Sequence, residues 1–295
     1  MYSVDNIFFT ACLIWSVLVG FSPLKAQGEC LSGSCNTGKG TFKYMNGDVY
    51  KGDWKKGLRH GAGEFHSNTS DWYKGQWKKD QMHGKGTLRY ANGDVYEGQF
   101  AEGKMQGWGK YTTHSGIVYE GHWINDKYNG AGTLTYPNGT RLQGSWTNGQ
   151  LNGKGELVHA NGDVYKGEFK NSRKQGQGTL ISKEKGTYVG EWRSNRPNGE
   201  GTWVYPEQPK SNKLTEFKIY EGNFRNGHPH GLGRMEFRNG DVYEGKWSHG
   251  VQQGEGIYIY VNGDKVKGIW QGGKPIQKEY IDTMPDSKNL SAKEN

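Results

Sequence analysis

Rings and glycines recur along this chain with a fixed step. The pattern aromatic-x-Gly-x-aromatic begins at Tyr50 (YKGDW), Tyr73 (YKGQW), Tyr96 (YEGQF), Tyr119 (YEGHW), Tyr165 (YKGEF) and Tyr188 (YVGEW). Leu142 (LQGSW) fills the slot after Tyr119, so that each start follows the last by 23 residues. The pattern resumes at Tyr220, Tyr243 and Val266 after one interval of 32 residues. The excess in that interval holds Pro206, Pro209, Lys210, Ser211 and Asn212 and reads as an enlarged loop over 206–214. Ahead of each aromatic element stands a Gly-x-Gly element, as in GKGTFKY from Gly38, GAGEF from Gly61 and GKGTLRY from Gly84.

Between the two elements lies Asn-Gly or Asn-Gly-Asp, as at Asn46-Gly47-Asp48, Asn92-Gly93-Asp94, Asn161-Gly162-Asp163, Asn239-Gly240-Asp241 and Asn262-Gly263-Asp264. Asn-Gly is a strong hairpin signal, and a type I′ turn with positive φ at both central residues is the expected geometry. Each unit is thus a β-hairpin. Strand alternation puts Gly40, Phe42 and Tyr44 on one face with Tyr50, Gly52 and Trp54, and leaves Thr41, Lys43, Lys51 and Asp53 on the other. A glycine between two rings leaves a gap, so rings of neighbouring strands are expected to lie over Gly52 and its equivalents. One hairpin cannot bury enough surface to offset its own ordering, and stability must come from stacking on the next unit.

This arrangement resembles the MORN (membrane occupation and recognition nexus) repeat family, whose motif is close to YEGxWxxGxxHGxGxxxY. Ten such units span residues 38–272. The resemblance implies an all-β fold, a single-layer twisted antiparallel β-solenoid or meander of about ten 23-residue hairpins. Twenty strands at ~4.8 Å would extend on the order of 95 Å. It also implies a binding or scaffold role. MORN repeats occur beside lipid kinase and SET methyltransferase domains, yet only a short polar tail, 273–295, follows the repeats here, and it is expected to be disordered. An accessory module of a lipid kinase whose kinase domain is absent is the least favoured function.

Composition alters this picture in two places. Mean hydropathy is −0.94 and hydrophobic residues are 32% of the chain, values typical of disorder, but aromatic residues at 13% replace the missing aliphatic core. A net charge of +8 from 38 basic and 30 acidic residues is a modest excess without a recognised nucleic-acid motif, so no nucleic-acid partner is expected.

Residues 1–28 read as a signal peptide or N-terminal anchor. Ile7–Phe21 is an uncharged apolar run shorter than the ~20 residues of a membrane span. Ala26-Gln27-Gly28 offers a cleavage site, while Asp5 stands where a basic n-region is usual. The alternatives are an uncleaved anchor and a buried helix. The exported chain would be periplasmic, envelope-bound or secreted. Cys30 and Cys35, in a lead-in over 29–37, are candidates for a disulfide in an oxidising compartment, with two free thiols as the alternative. Asn68-Thr69-Ser70 and Asn138-Gly139-Thr140 match glycosylation acceptors.

Catalytic and metal chemistry find little footing. His60, His83 and His230 occupy a slot that elsewhere holds Gln106, Asn129, Asn152, Gln175, Asn198 and Gln253, which marks a polar turn position and not a ligand set. The Gly-x-Gly elements lack the following helix and Gly-Lys-Ser/Thr of a phosphate loop. The aspartates after Asn-Gly form a ladder of turn residues and no catalytic pair. The chain is therefore expected to be no enzyme, with no cofactor and no metal site. Two binding modes remain. In one, the aromatic face, with Tyr50, Trp54, Tyr73, Trp77, Tyr96, Phe100, Tyr119 and Trp123, recognises a protein or a second copy of the chain. In the other, the basic loop edge meets an anionic membrane surface through Lys55, Lys56, Arg59, Lys78 and Lys79. That edge continues through Lys104, Lys127, Lys170, Arg173, Lys174, Arg193, Arg196 and Arg225.

Overall fold

The computed structural model describes residues 27–207 and 216–282, so the N-terminal apolar segment, most of the enlarged loop and the end of the tail lie outside the described residues. The regular structure is β: 22 strands in an antiparallel meander. The chain divides into two compact units, residues 1–160 and 161–295.

The first unit contains β1 (Gly28–Gly33), β2 (Thr37–Tyr44), β3 (Val49–Lys55), β4 (Leu58–His66), β5 (Trp72–Lys78), β6 (Gln81–Arg89), β7 (Val95–Ala101), β8 (Lys104–Thr112), β9 (Val118–Ile124), β10 (Lys127–Thr135), β11 (Arg141–Thr147) and β12 (Gln150–Val158). The second contains β13 (Val164–Lys170), β14 (Arg173–Ser182), β15 (Gly186–Arg193), β16 (Arg196–Val204), β17 (Phe217–Arg225), β18 (His228–Phe237), β19 (Val242–Ser248), β20 (Val251–Ile259), β21 (Lys265–Gln271) and β22 (Lys274–Asp282). Within each unit every strand pairs with the next, as in β3 with β4 and β14 with β15. Two expectations shift. The lead-in contributes strand β1, paired with β2, and the tail expected to be disordered from 273 is ordered through β22, paired with β21.

Hairpins alternate between two turn types, and their placement corrects the expected one. The Asn-Gly-Asp tips are three-residue loops: Gly47 N–H donates to the Tyr44 carbonyl and Tyr44 N–H to the Asp48 carbonyl, both at 2.9 Å. Gly47 is left-handed (φ 93°), whereas Asn46 is not among the residues with positive φ. Asparagine serves here through its side chain, whose Oδ1 accepts Asp48 N–H at 3.1 Å. The two-residue type I′ turns lie at the opposite end of the strands, at Lys56-Gly57 (φ 56° and 72°) and Asn171-Ser172 (φ 51° and 61°).

The core of each unit is a run of rings meeting edge to face. In the first it passes Trp54–Tyr50–Trp77–Tyr73–Phe100–Tyr96–Trp123–Tyr119–Trp146, with centroids 5.0–5.5 Å apart. The second repeats it from Phe169 through Tyr165, Trp192, Tyr188, Phe224, Tyr220, Trp247 and Tyr243 to Trp270. The gap left by glycine is filled differently from the expectation. Tyr50 folds over Gly52 of its own strand and over Gly63 of β4, where an added Cβ would strike the phenol ring. The other glycine of the element, Gly61, has φ 60° and sits at the bulge where β3 and β4 shift register.

Candidate binding surfaces

The tyrosines and tryptophans are polar only at their tips, and the repeat supplies a partner for each tip. Tyr73 Oη donates to the Gln76 carbonyl at 2.9 Å and Tyr96 Oη to the Gln99 carbonyl at 3.0 Å, three residues along the same strand. Trp77 Nε1 donates to the Gly63 carbonyl at 3.2 Å and Trp123 Nε1 to the Gly109 carbonyl at 3.1 Å. Burial pushes the Tyr73 and Tyr96 phenols well above the usual range, and Tyr243 up to about 12, so these hydroxyls stay protonated donors.

This geometry overturns the aromatic contact face. Tyr50, Trp54, Tyr73, Trp77, Tyr96, Phe100, Tyr119 and Trp123 are each no more than 7% exposed. Rings of successive repeats cover one another, so these eight residues are core and none is open to a partner. The strand alternation correctly grouped them on one face; it carried no information about what covers that face.

The predicted basic residues separate into two groups. Lys55, Lys56, Lys78 and Lys79 are exposed at the tips of the β3–β4 and β5–β6 hairpins. Arg59 instead turns inward. Its Nε lies 3.2 Å from Asp80 Oδ1, its Cζ 4.3 Å from the Trp77 ring centroid, and its side chain is 11% exposed. Arg59 occupies an inward slot that recurs as Met82, Met105, Tyr128, Leu151, Lys174, Pro197 and Pro229, which sequence reasoning missed because its residue type varies. Lys174 is its unusual member. Its ammonium lies 4.8 Å from the Tyr165 ring centroid and 5.1 Å from that of Trp192. Burial, helped by the charge of Lys185 and opposed by Asp163, pulls its amine down to about 8.

The remaining polar residues act as ties between repeats. Asp48 Oδ1 accepts Asn68 N–H at 2.9 Å, Asp94 Oδ1 accepts His114 N–H at 2.8 Å and Asp241 Oδ1 accepts Val261 N–H at 2.9 Å, each bond reaching the next asparagine-type tip. Asp163 and Asp264 donate their backbone N–H groups to Oδ1 of Asn161 and Asn262, both at 3.1 Å, within their own tips. In the histidine slot, Gln106 Oε1 accepts Asn125 N–H at 3.2 Å and Gln175 Oε1 accepts Ser194 N–H at 3.4 Å, from the following turn. Among the described residues no group of three or more His, Cys, Asp or Glu is placed to hold a metal ion. Cys30 and Cys35 form a disulfide with Cα atoms 6.0 Å apart, beside the first strand pairing. Asn68 Nδ2 donates to the Asn46 carbonyl at 2.6 Å.

With the ring face consumed, the opposite, outer face of each unit carries the exposed side chains. In the first unit Trp108 is 48% exposed, its ring 5.1 Å from that of His122. In the second, Ile181, Val189 and Val204 are 54%, 50% and 43% exposed on adjacent strands. Cross-strand pairing sets Val164 opposite Ile181, Ile181 opposite Thr187, Thr187 opposite Val204 and Val204 opposite Ile219, while Val189 lies in the next row, opposite Thr179 and Thr202.

Fold and surfaces together define a tandem-repeat protein in which one ring-bearing hairpin is copied along the chain. The sequence profile of the MORN repeat matches ten consecutive segments, 37–49, 50–72, 73–95, 96–118, 119–141, 143–164, 165–187, 188–208, 220–242 and 243–265. The chain belongs to the MORN repeat family. No curated protein matches it. Among solved structures it is similar to the TCP10 domain of Danio rerio CPAP in complex with a STIL peptide, at 14% identity and TM-score 0.38, covering 75% of this chain and 96% of that one. It is also similar to the Drosophila melanogaster SAS-4 TCP domain in complex with a proline-rich motif of Ana2, at 12% identity and TM-score 0.28, covering 83% and 90%. Among the described residues no helix is long and apolar enough to cross a membrane.

Proposed function

We propose that this chain is a non-enzymatic binding scaffold, exported to the cell envelope or the extracellular space, that holds a protein partner or a second copy of itself on the outer face of its sheet. One observation carries the reading: Ile181, Val189 and Val204 stand open to solvent on three adjacent strands whose opposite face is already filled by rings. Contiguous exposed aliphatic surface is the usual mark of a protein contact. Export rests on the apolar run Ile7–Phe21.

The test is affinity capture of the mature chain from its native envelope, beside sedimentation of the purified protein. The I181E/V189E/V204E variant is expected to lose its partner or its self-association while its circular dichroism is unchanged. An identical set of captured proteins and an identical sedimentation coefficient would remove the reading.

A second reading, contact with an anionic phospholipid surface, draws on the exposure of Lys55, Lys56, Lys78 and Lys79. It requires that vesicle binding fall steeply with salt and vanish on charge reversal at these four lysines. Arg59 drops out of this set, being engaged with Asp80.

A further inference from the structure

Ten type I′ tips close the described hairpins, and in three consecutive ones of the second unit both residues that face each other across the tip are basic. The residues facing each other across a tip are Lys170 and Arg173 between β13 and β14, Arg193 and Arg196 between β15 and β16, and Arg225 and His228 between β17 and β18. At the other seven tips the facing pairs are Lys55–Leu58, Lys78–Gln81, Ala101–Lys104, Ile124–Lys127, Thr147–Gln150, Ser248–Val251 and Gln271–Lys274. None of those seven holds two basic residues. Like charges directly opposite each other on a sheet oppose folding, so the fold itself gives no reason for this choice.

All six residues are exposed, and none takes part in an ion pair among the described residues. The turn residues between them, Asn171-Ser172, Ser194-Asn195 and Asn226-Gly227, carry no acid, in contrast to Asp80, Glu102 and Asp126 in the first unit. The nearest carboxylates along these strands, Glu168 and Glu191, lie two residues inward against the bulge glycines Gly176 and Gly199. Glu191 accepts the N–H of Glu200 at 3.3 Å.

We infer that this edge binds an extended anionic chain of the linear sulfated polysaccharide class. Alternate tips stand two strands apart, so the three pairs, which together hold four arginines and a lysine, form a row with a step of ~9.6 Å. Arginine, at four of the six positions, presents a planar fork suited to sulfate oxygens. Exposed Ser194 and Asn226 supply hydroxyl and amide groups for the hydroxyls of a sugar, which a polyphosphate lacks. No large apolar side chain occupies these three turns to insert into a bilayer. The inference stands apart from the protein-contact reading, since it uses hairpin tips and not the exposed aliphatic side chains.

The test is binding of the whole mature chain to a fluorescent heparin-derived oligosaccharide, with R193S/R196S and K170S/R173S as variants and K39S/K43S, at two exposed lysines of β2, as the control. Each second-unit variant is expected to weaken binding by about tenfold or more, the loss of charge-assisted hydrogen bonds, and the control to change it little. Desulfated oligosaccharide should not bind, and polyphosphate and phosphatidylglycerol vesicles should bind more weakly. Because the variants relieve like-charge pairs, their melting midpoints should equal or exceed that of the native chain, which separates lost binding from lost folding. No binding, equal loss in the control, or equal affinity for polyphosphate or vesicles would overturn the inference.

Discussion

At the scale of the residue, the repeat positions that look alike in sequence do different work. Gly61 provides a left-handed bulge, whereas Gly63 provides room for the Tyr50 ring. Gly63→Ala is therefore expected to destabilise by about 1–3 kcal/mol through overpacking, read from chemical denaturation. Lys174 gives a prediction with a definite sign. Its folded pKa, about 8, lies below the ordinary 10.5, so between these values the unfolded chain binds more protons than the folded one. Stability of the second unit should rise as pH climbs from about 8 towards 10.5. Lys174→Met, which installs the side chain found at Met82 and Met105, should abolish that rise and raise the melting temperature at pH 7. A flat pH profile in the native chain would show that the contacts with Tyr165 and Trp192 fully offset the burial of the amine.

At the scale of the element, hairpins are tied tip to tip by aspartate. Burial opposes ionisation of Asp94, but bonds from Tyr111, the His114 backbone and Asn92 outweigh it and hold its carboxyl below the ordinary 3.8. Its contribution is present above that ordinary value and is lost as pH falls through the lower folded one. Asp94→Ala is expected to make the tip around His114 exchange amide hydrogens faster and to remove its share of the acid sensitivity. The hairpins themselves were legible: a 23-residue step between rings, with Asn-Gly between, places strands and tips correctly. Turn type was not legible. Asn-Gly serves both a two-residue turn and a three-residue loop, and the choice depends on whether the asparagine backbone or its side chain closes it. Lys56-Gly57 and Asn171-Ser172, which do adopt the type I′ form, have no common composition.

At the scale of the whole chain, the repeats are legible in the sequence, but the face expected there to be open to a partner is the closed core. Period-two alternation says that Tyr50 and Trp54 share a side; only the contact of Tyr50 with Trp77 of the next repeat says that the side is closed. The exposed aliphatic side chains of Ile181, Val189 and Val204 are correspondingly hard to see in the sequence, because they come from strands whose shared motif ignores them. Since each strand pairs with its chain neighbours within its unit, stability is local, and hydrogen exchange should be fast in β1 and β22, each paired with a single strand. Replacing Cys30 and Cys35 with serine should cost about 2 kcal/mol for so short a loop, with faster exchange confined to β1 and β2.

Each repeat tyrosine spends its hydroxyl on a carbonyl three residues along its own strand, so that bond never crosses a module boundary. What passes across is ring against ring, a tryptophan N–H given to a glycine carbonyl of the preceding repeat, and the backbone N–H bonds that tip aspartates accept. Gene duplication or loss of a complete 23-residue cassette therefore leaves each of these repeat tyrosines with its acceptor, and descendants of this chain are free to drift in repeat number while each remaining unit stays intact.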